Sequence, residues 1–335
     1  MTFIAEETRE ILASLGASSL EDVIGRADLL DQVSRGAAHL DDLDLNPILI
    51  RVDAGDRPQR STRKGRNDVA DTLDQRIFTE LTPFLDRREK LQLSYPVKNT
   101  DRAIGARISS HIVRRYKPDQ LSADHLTLRL KGSAGQSLGA FSAHGLRIVV
   151  DGDANDYVGK GLSGASIVVR PIDEAAGPND AIIGNTCLYG ATGGYLFAAG
   201  RAGGRFGVRN SGATTVIEGC AANGCEYMTG GVAVILGSVG ANFAAGMTGG
   251  KAYIFDDGGA FENVVNSDSV ALRRFVDSND AAECRELIER HLRETRSPRA
   301  RQLLDDWPSA AMKFWVVEPL EILARQGIAD VAKSA

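Results

Sequence analysis

Four stretches of the chain hold residue types that could do chemistry at a useful spacing. Gly135-Gln136-Ser137-Leu138-Gly139 has the G-x-S-x-G spelling of a hydrolase elbow, in which a serine sits on a tight strand-to-helix turn beside a general base. That turn needs a helix behind Ser137, then an acid and a His downstream in order. Only His144 and His291 follow, and an extended segment begins within a few residues, so a Ser137 nucleophile is not expected. Gly159-Lys160-Gly161-Leu162-Ser163-Gly164 matches the dinucleotide fingerprint, whose glycines bring backbone against a pyrophosphate at a helix N-terminus. Here the continuation is Ile167-Val168-Val169 and then Pro171, a strand and not a helix, so these glycines read as a corner.

Asp151-Gly152-Asp153-Ala154-Asn155 resembles the front of a calcium loop. Asp156 stands where that loop needs its glycine and Leu162 where it needs a bidentate Glu, so the carboxylates read as facing solvent. Cys220 and Cys225 are a close pair with no third or fourth ligand nearby, which reads as packing and not as a metal site. Four cysteines in 335 residues do not make a disulfide framework. No phosphate loop ending in Gly-Lys-Ser/Thr is present. No catalytic, cofactor-binding or metal-ligating residue is expected in this chain.

The elements that would position these residues follow one repeat. A small or polar residue, a Gly and about five extended residues recur, with the Gly at 145, 164, 193, 212, 230 and 249. The intervals are 19, 29, 19, 18 and 19 residues, the long one holding a Pro/Asp/Gly insertion from Pro171 to Pro178. A fixed period with glycine corners and β-rich sides predicts a mainly β chain, a right-handed parallel β-helix (single-stranded solenoid) with helical N- and C-terminal flanks. Counting from the anchor, alternate positions give the small and aliphatic columns Leu146/Ile148/Val150, Ala165/Ile167/Val169 and their equivalents to Ile254, which suit a narrow interior. The opposite parity carries Arg147, Glu218 and Lys251, but also Tyr195, Phe197, Val216, Val234, Tyr253 and Phe255. Large apolar groups on an outer wall need a cover, either this chain's own helices or a partner protein.

Three regions result: a helical segment and linker over 1–120, the solenoid over 121–260, and C-terminal capping helices over 261–335. Helices are expected over residues 4–15, from Ser19, over 67–87 with Val69, Leu73, Ile77 and Leu81 on one stripe, and after Asn99-Thr100-Asp101. The basic cluster Arg60, Arg63, Lys64 and Arg66 reads as a solvated linker. The first rung is expected at Leu126–Leu130. A helix from Ser278 to about Arg296, and another starting at Pro298, would close the end of the stack. A net charge of -5 gives no reason to expect nucleic acid or an anionic membrane as partner. The acidic N-terminus and the lack of a long apolar run predict no signal peptide, no membrane span and a cytoplasmic location.

Several longer strings resemble a known family. Gly132 to Ser137, Asp151 to Gly164, Gly184-Asn185-Thr186, Leu188 to Thr192, Val208 to Ala213, Cys225 to Gly231 and Asn242 to Met247 together resemble the C-terminal GXGXG domain of the glutamate synthase large subunit. Residues 5–26 look like the tail of the flavin domain that precedes it. The resemblance implies an enzyme that makes glutamate from glutamine and 2-oxoglutarate. In that family a separate N-terminal domain hydrolyses glutamine with a terminal Cys, and a flavin domain carries FMN and a 3Fe-4S cluster. Electrons come from NADPH or ferredoxin, and the β-helix domain is mainly structural.

This chain starts Met-Thr and has no Cys cluster suited to an iron–sulfur centre. Its segment from Phe314 to Ala335 departs from the family tail. The expectation is therefore a stand-alone structural subunit, carrying no cofactor itself, with FMN and 3Fe-4S in its partner. Expected partners are a flavin/iron–sulfur component and a glutaminase component, with an electron-donor subunit or ferredoxin possible. Similar domains in formylmethanofuran dehydrogenase and N-methylglutamate synthase give a second reading, and a free-standing scaffold protein a third. Residues expected at contacts with partner domains are Arg209, Asn210, Tyr227 and Asn242, with Tyr195, Phe197, Tyr253 and Phe255 on the outer wall.

Overall fold

The computed structural model describes residues 1–37, 41–58, 60–62, 65, 71–117, 120–172, 180–275 and 278–325. Val69, most of the basic cluster (Arg63, Lys64 and Arg66), most of the insertion after Pro171 and the last ten residues lie outside them. The chain divides into two units, Met1–Ala70 and Asp71–Ala335. Among the described residues no helix is long and apolar enough to cross a membrane.

Among its described residues the first unit holds α1 (Thr2–Ser14) and short 3-10 turns at Leu20–Val23, Ala27–Leu29 and Asn46–Ile48. The helix expected from Ser19 is thus a single turn. Asp22 Oδ2 accepts from the backbone N of Ser18 and Ser19 at 2.9 and 3.0 Å, which starts a helix, but Gly25 at φ 73° ends it at once. None of the described residues of this unit is buried. Phe3, Ile11, Leu20, Leu30, Val33, Ile48, Ile50 and Val52 are all exposed.

The second unit opens with α2 (Leu73–Asp86), started by Thr72, whose Oγ1 accepts from Gln75 N at 3.2 Å. Its buried face is Ile77, Leu81 and Leu85, spaced as one helical stripe requires. Helix α3 (Ala106–Arg115) begins later than its Asn-Thr-Asp signal, because Asp101 Oδ2 is already taken by Lys98 N at 2.9 Å in a turn. The start of α3 is held by α2 instead. Asp74 accepts from Gly105 N at 2.7 Å and Arg107 N at 3.2 Å. Burial of Asp74 raises its carboxyl pKa despite those two backbone donors.

Among the described residues twelve strands form one large, mostly parallel sheet. They are β1 (Leu91–Val97), β2 (Leu126–Ala134), β3 (Leu146–Ala154), β4 (Ser163–Arg170), β5 (Ala181–Ile183), β6 (Gly193–Ala198), β7 (Arg201–Ala202), β8 (Ser211–Ile217), β9 (Thr229–Ile235), β10 (Gly249–Phe255), β11 (Val270–Arg274) and β12 (Phe314–Pro319). The order is β1-β2-β3-β4-β6-β8-β9-β10-β12-β11, with β5 between β3 and β7. The pairing begins at β1, one strand before Leu126–Leu130. The expected columns stand in register. Ile148 pairs with Ile167, Ile167 with Leu196, Leu196 with Thr215, Thr215 with Ala233 and Ala233 with Ala252. All six are buried in one core, and Thr215 Oγ1 there donates to Leu196 O at 2.9 Å.

The opposite parity makes a second core. Val149, Val168, Phe197, Val216, Val234, Tyr253 and Phe255 pack against α4 (Ser278–Thr295), α5 (Pro298–Asp305) and α6 (Trp307–Ala311) through Cys284, Ile288, Ala300, Leu303 and Ala310. Each fully buried Ile or Leu contributes roughly 1.5–3 kcal/mol. The cover over the outer apolar residues is therefore this chain's own. The C-terminal helices do not close the end of the stack as expected. Strand β12 pairs antiparallel with β10, and β11 with β12, before α7 (Leu320–Arg325). With helices on both flanks the class is mixed α/β, a correction to the mainly β expectation.

Candidate functional site

Among the described residues the second unit makes one turn six times between its strands, and each turn places three residues at positive φ, two positions apart. The sets are Ser137/Gly139/Phe141, Tyr157/Gly159/Gly161, Thr186/Leu188/Gly190, Arg205/Gly207/Arg209, Asn223/Cys225/Tyr227 and Asn242/Ala244/Gly246. A side chain in this left-handed region crowds its own carbonyl, so such residues persist only where their surroundings hold them. Hydrogen bonds to neighbouring turns do so here. The outer members donate forward, Tyr157 N to Asn185 O at 2.8 Å, Arg209 N to Glu226 O at 3.0 Å and Tyr227 N to Ala245 O at 2.8 Å. The middle members donate backward, as Gly159 N does to Leu138 O at 2.9 Å. The result is a stacked wall of turns whose middle members are buried and whose outer members reach the surface.

The motifs that suggested chemistry are parts of this framework. Ser137 is an outer turn residue whose N–H donates to Asp156 O at 2.8 Å, and His144 Nε2 lies 3.2 Å from Leu121 O. Gly159 and Gly161 are turn members, as a corner reading requires. Asp151 pairs with Arg170 at 2.6 Å, Asp153 accepts from Ser133 Oγ at 2.9 Å, and Asp156 accepts from Asn185 N at 2.7 Å. These carboxylates thus serve three different partners. All four cysteines are buried. Burial pushes the Cys187 and Cys220 thiols up to about 12 and raises Cys225 and Cys284 as well, the opposite of what a thiolate ligand needs. Among the described residues no group of three or more His, Cys, Asp or Glu is placed to hold a metal ion.

Of the residues expected at partner contacts, the turn wall brings together Arg209, Tyr227 and Asn242, all exposed. Asn242 Nδ2 donates to Asn223 Oδ1 at 2.9 Å and its Oδ1 accepts from Asn266 Nδ2 at 3.0 Å, a short amide ladder across turns. Asn210 is buried and ties the turn to β8, accepting from Ala213 N and donating to Ala213 O, both at 2.9 Å. Tyr195 is half-buried under Arg290, whose guanidinium lies 3.7 Å from the ring centre. Phe197, Tyr253 and Phe255 are buried under the chain's own helices. Tyr253 Oη donates its one proton to Glu283 at 2.5 Å, with Asp280 Oδ1 at 3.0 Å from the same oxygen, and burial and those carboxylates raise its phenol.

Sequence reasoning missed Phe141. It occupies the same turn position as Tyr227 and is 60% exposed. Its two-residue offset from Gly139, matching Tyr227 from Cys225 and Gly161 from Gly159, was the available signal.

Comparison with known proteins points one way. The family described as GXGXG motif matches residues 74–320. The glutamate synthase [NADPH] large chain of Azospirillum brasilense is 56% identical over 326 residues, covering 97% of this chain and 22% of that protein. The glutamate synthase [NADPH] large chain of Bacillus subtilis is 41% identical over 324 residues, 95% of this chain and 21% of that protein. The ferredoxin-dependent glutamate synthase 2 of Synechocystis is 42% identical over 322 residues, again 95% and 21%. The chain spans about a fifth of the length of these relatives.

Proposed function

Because the chain belongs to the GXGXG-motif family and is homologous to the C-terminal region of glutamate synthase large chains, we propose that it is the structural assembly module of a glutamate synthase-type enzyme. It packs against the parts that convert glutamine and 2-oxoglutarate to glutamate and performs no chemical step itself. As a separate subunit it meets a flavin/iron–sulfur component and a glutaminase component, and through the former an electron-donor subunit or ferredoxin.

The observation that carries this reading is the first unit. It matches the longer relatives as part of a 97% alignment, yet none of its described residues is buried. Val23, Leu30, Ile48, Ile50 and Val52 line a groove of about 700 Å³ in it. Exposed aliphatic side chains on this scale are stable only against another protein surface. The partner it fits is the portion of the synthase that lies outside this chain.

The register of the second unit supports reading its stacked strands as coils of a right-handed parallel β-helix. Successive strands pair parallel at the repeat interval, joined by the same turn and not by crossover helices. FMN and a 3Fe-4S cluster belong to the partner component on this reading. The thiols of this chain, buried and raised, do not suit the cluster.

Glutaminase and FMN-binding assays on the purified chain test the division of labour. The chain is expected to leave glutamine untouched and free FMN unbound; turnover or stoichiometric FMN uptake by the chain alone would contradict it.

A further inference from the structure

The third residue of the repeated turn is one place where the chain departs from its least strained choice. Gly161, Gly190 and Gly246 fill it in three turns, at φ 63°, 62° and 63°. Phe141, Arg209 and Tyr227 fill it in the others, at φ 57°, 55° and 53°. A bulky residue in this conformation is a strained outlier, while glycine adopts it freely. A buried ring could offset the strain by packing, but Phe141 is 60% exposed and Tyr227 53% exposed.

Each ring rests on a glycine of a neighbouring turn. A Cβ on Gly161 would come within 2.5 Å of the Phe141 ring, and one on Gly246 within 2.5 Å of the Tyr227 ring. The missing side chain lets each ring lie against the neighbouring turn while more than half of the residue stays exposed. Phe141 and Tyr227 are four turns apart, which at the usual strand spacing is about 19 Å. Between them, one turn before Tyr227, stand Arg205 and Arg209, both exposed and neither in an ion pair among the described residues. Aromatic rings and arginines on one rigid face are the composition of interface hot spots.

We propose that this wall of turns is a second docking surface, with Phe141 and Tyr227 as ring anchors and Arg205 and Arg209 as the charged band between them. Its occupant is the portion of the synthase outside this chain, through an acidic face with two apolar pockets for the rings. The unpaired arginines select the acidic face, and the relatives' remaining four fifths supply the occupant. The inference rests on the assembly role proposed above.

Site-specific photo-crosslinking in the assembled synthase tests it. A benzoylphenylalanine is placed at Phe141, at Tyr227, at Ile48 in the first unit, and at the exposed Glu286 of α4 as an off-wall control. Crosslinks from 141 and 227, and not from 286, to an acidic segment of the remaining synthase are expected. Crosslinks from 48 with none from 141 or 227 would overturn the docking wall and leave the assembly role standing. No crosslink from any position would remove the assembly role and the wall with it. Crosslinks from 141 and 227 to a second copy of this chain would also overturn the proposal. F141G and Y227G give an independent readout. Each is expected to leave the thermal midpoint of the isolated chain unchanged or higher while weakening the complex about tenfold. A lowered midpoint with unchanged affinity would show that the rings serve only internal packing.

Discussion

The imidazole of His291 lies 3.5 Å from the carboxylate of Glu218, and both are buried where the cover helices meet the end of β8. Neither ring nitrogen of His291 has a hydrogen-bond partner, so the geometry is an approach and not a bond. Glu218 is held instead by Ser297, whose Oγ donates to the same carboxylate oxygen at 2.5 Å. That hydroxyl also accepts from Ala300 N at 2.9 Å and so starts α5. One serine therefore both caps a helix and satisfies a buried acid.

Ser297→Ala loses both bonds. A lost cap costs about 1 kcal/mol and a buried carboxylate left unpartnered about 1–3 kcal/mol more, so a total of about 2–4 kcal/mol is expected. Urea denaturation of the isolated chain measures it. A loss below about 0.5 kcal/mol would show that water replaces the hydroxyl.

Asp280 joins the start of α4 to the sheet. It takes Lys251 at 2.6 Å and Arg273 at 2.5 Å, while Glu318 takes Arg273 at 2.8 Å. Burial alone would raise the Asp280 carboxyl, but hydrogen bonds from Lys251, Arg273 and Tyr253 outweigh it and hold it below the usual 3.8. A depressed folded-state pKa stabilises above the unfolded value and is lost as pH falls through the folded one. D280N is thus expected to cost roughly 3 kcal/mol near neutral pH, where it leaves two cations short of a carboxylate. The gap between variant and parent should start to narrow as pH falls past about 3.8 and close once pH lies below the depressed folded-state value, as read from acid-unfolding curves. A gap that stays constant down to pH 2 would contradict the assigned role of the charge.

Gly152 allows the closest approach between neighbouring strands. A Cβ there would stand 2.0 Å from Gly132 O, a backbone atom that cannot swing aside, and φ is 146°. G152A is expected to cost more than about 4 kcal/mol and to yield little soluble chain. Near-parental yield and thermal midpoint would show that β2 and β3 can separate at that point.

In the first unit, Ile48→Lys and Ile50→Glu alter exposed groove residues that touch no core. The thermal midpoint of the isolated chain is expected to stay within about 1 °C, since surface changes are worth within about 0.5 kcal/mol. Co-elution with the rest of the synthase should be lost. Retained co-elution would show that this groove is not the contact.

Much of the second unit was legible because its physics is periodic. The anchor glycines and the alternating parity placed Ile148, Ile167, Leu196, Thr215, Ala233 and Ala252 in one column, and they pair as that column requires. Tyr195, Phe197, Tyr253 and Phe255 were recognised as needing a cover, but parity cannot tell a helix of the same chain from a partner. The left-handed alternation in the turns stayed hidden, because only a glycine advertises that conformation and Phe141, Arg209 and Tyr227 look ordinary in a string. Strand β12 was missed because its partners, Tyr253 and Arg273, lie 63 and 43 residues from Val316, and no turn signal marks so distant a pairing. Strand β1 was missed because it precedes the glycine-anchored pattern.

Sedimentation of the chain together with the flavin-bearing part of the synthase, followed at the flavin absorbance band, reads the proposed assembly itself. The chain alone is expected to be colourless and to sediment slowly, and mixing is expected to move it into the fast flavin-absorbing boundary in stoichiometric amount. A chain that stays in its slow colourless boundary, or that carries flavin absorbance by itself, would contradict it.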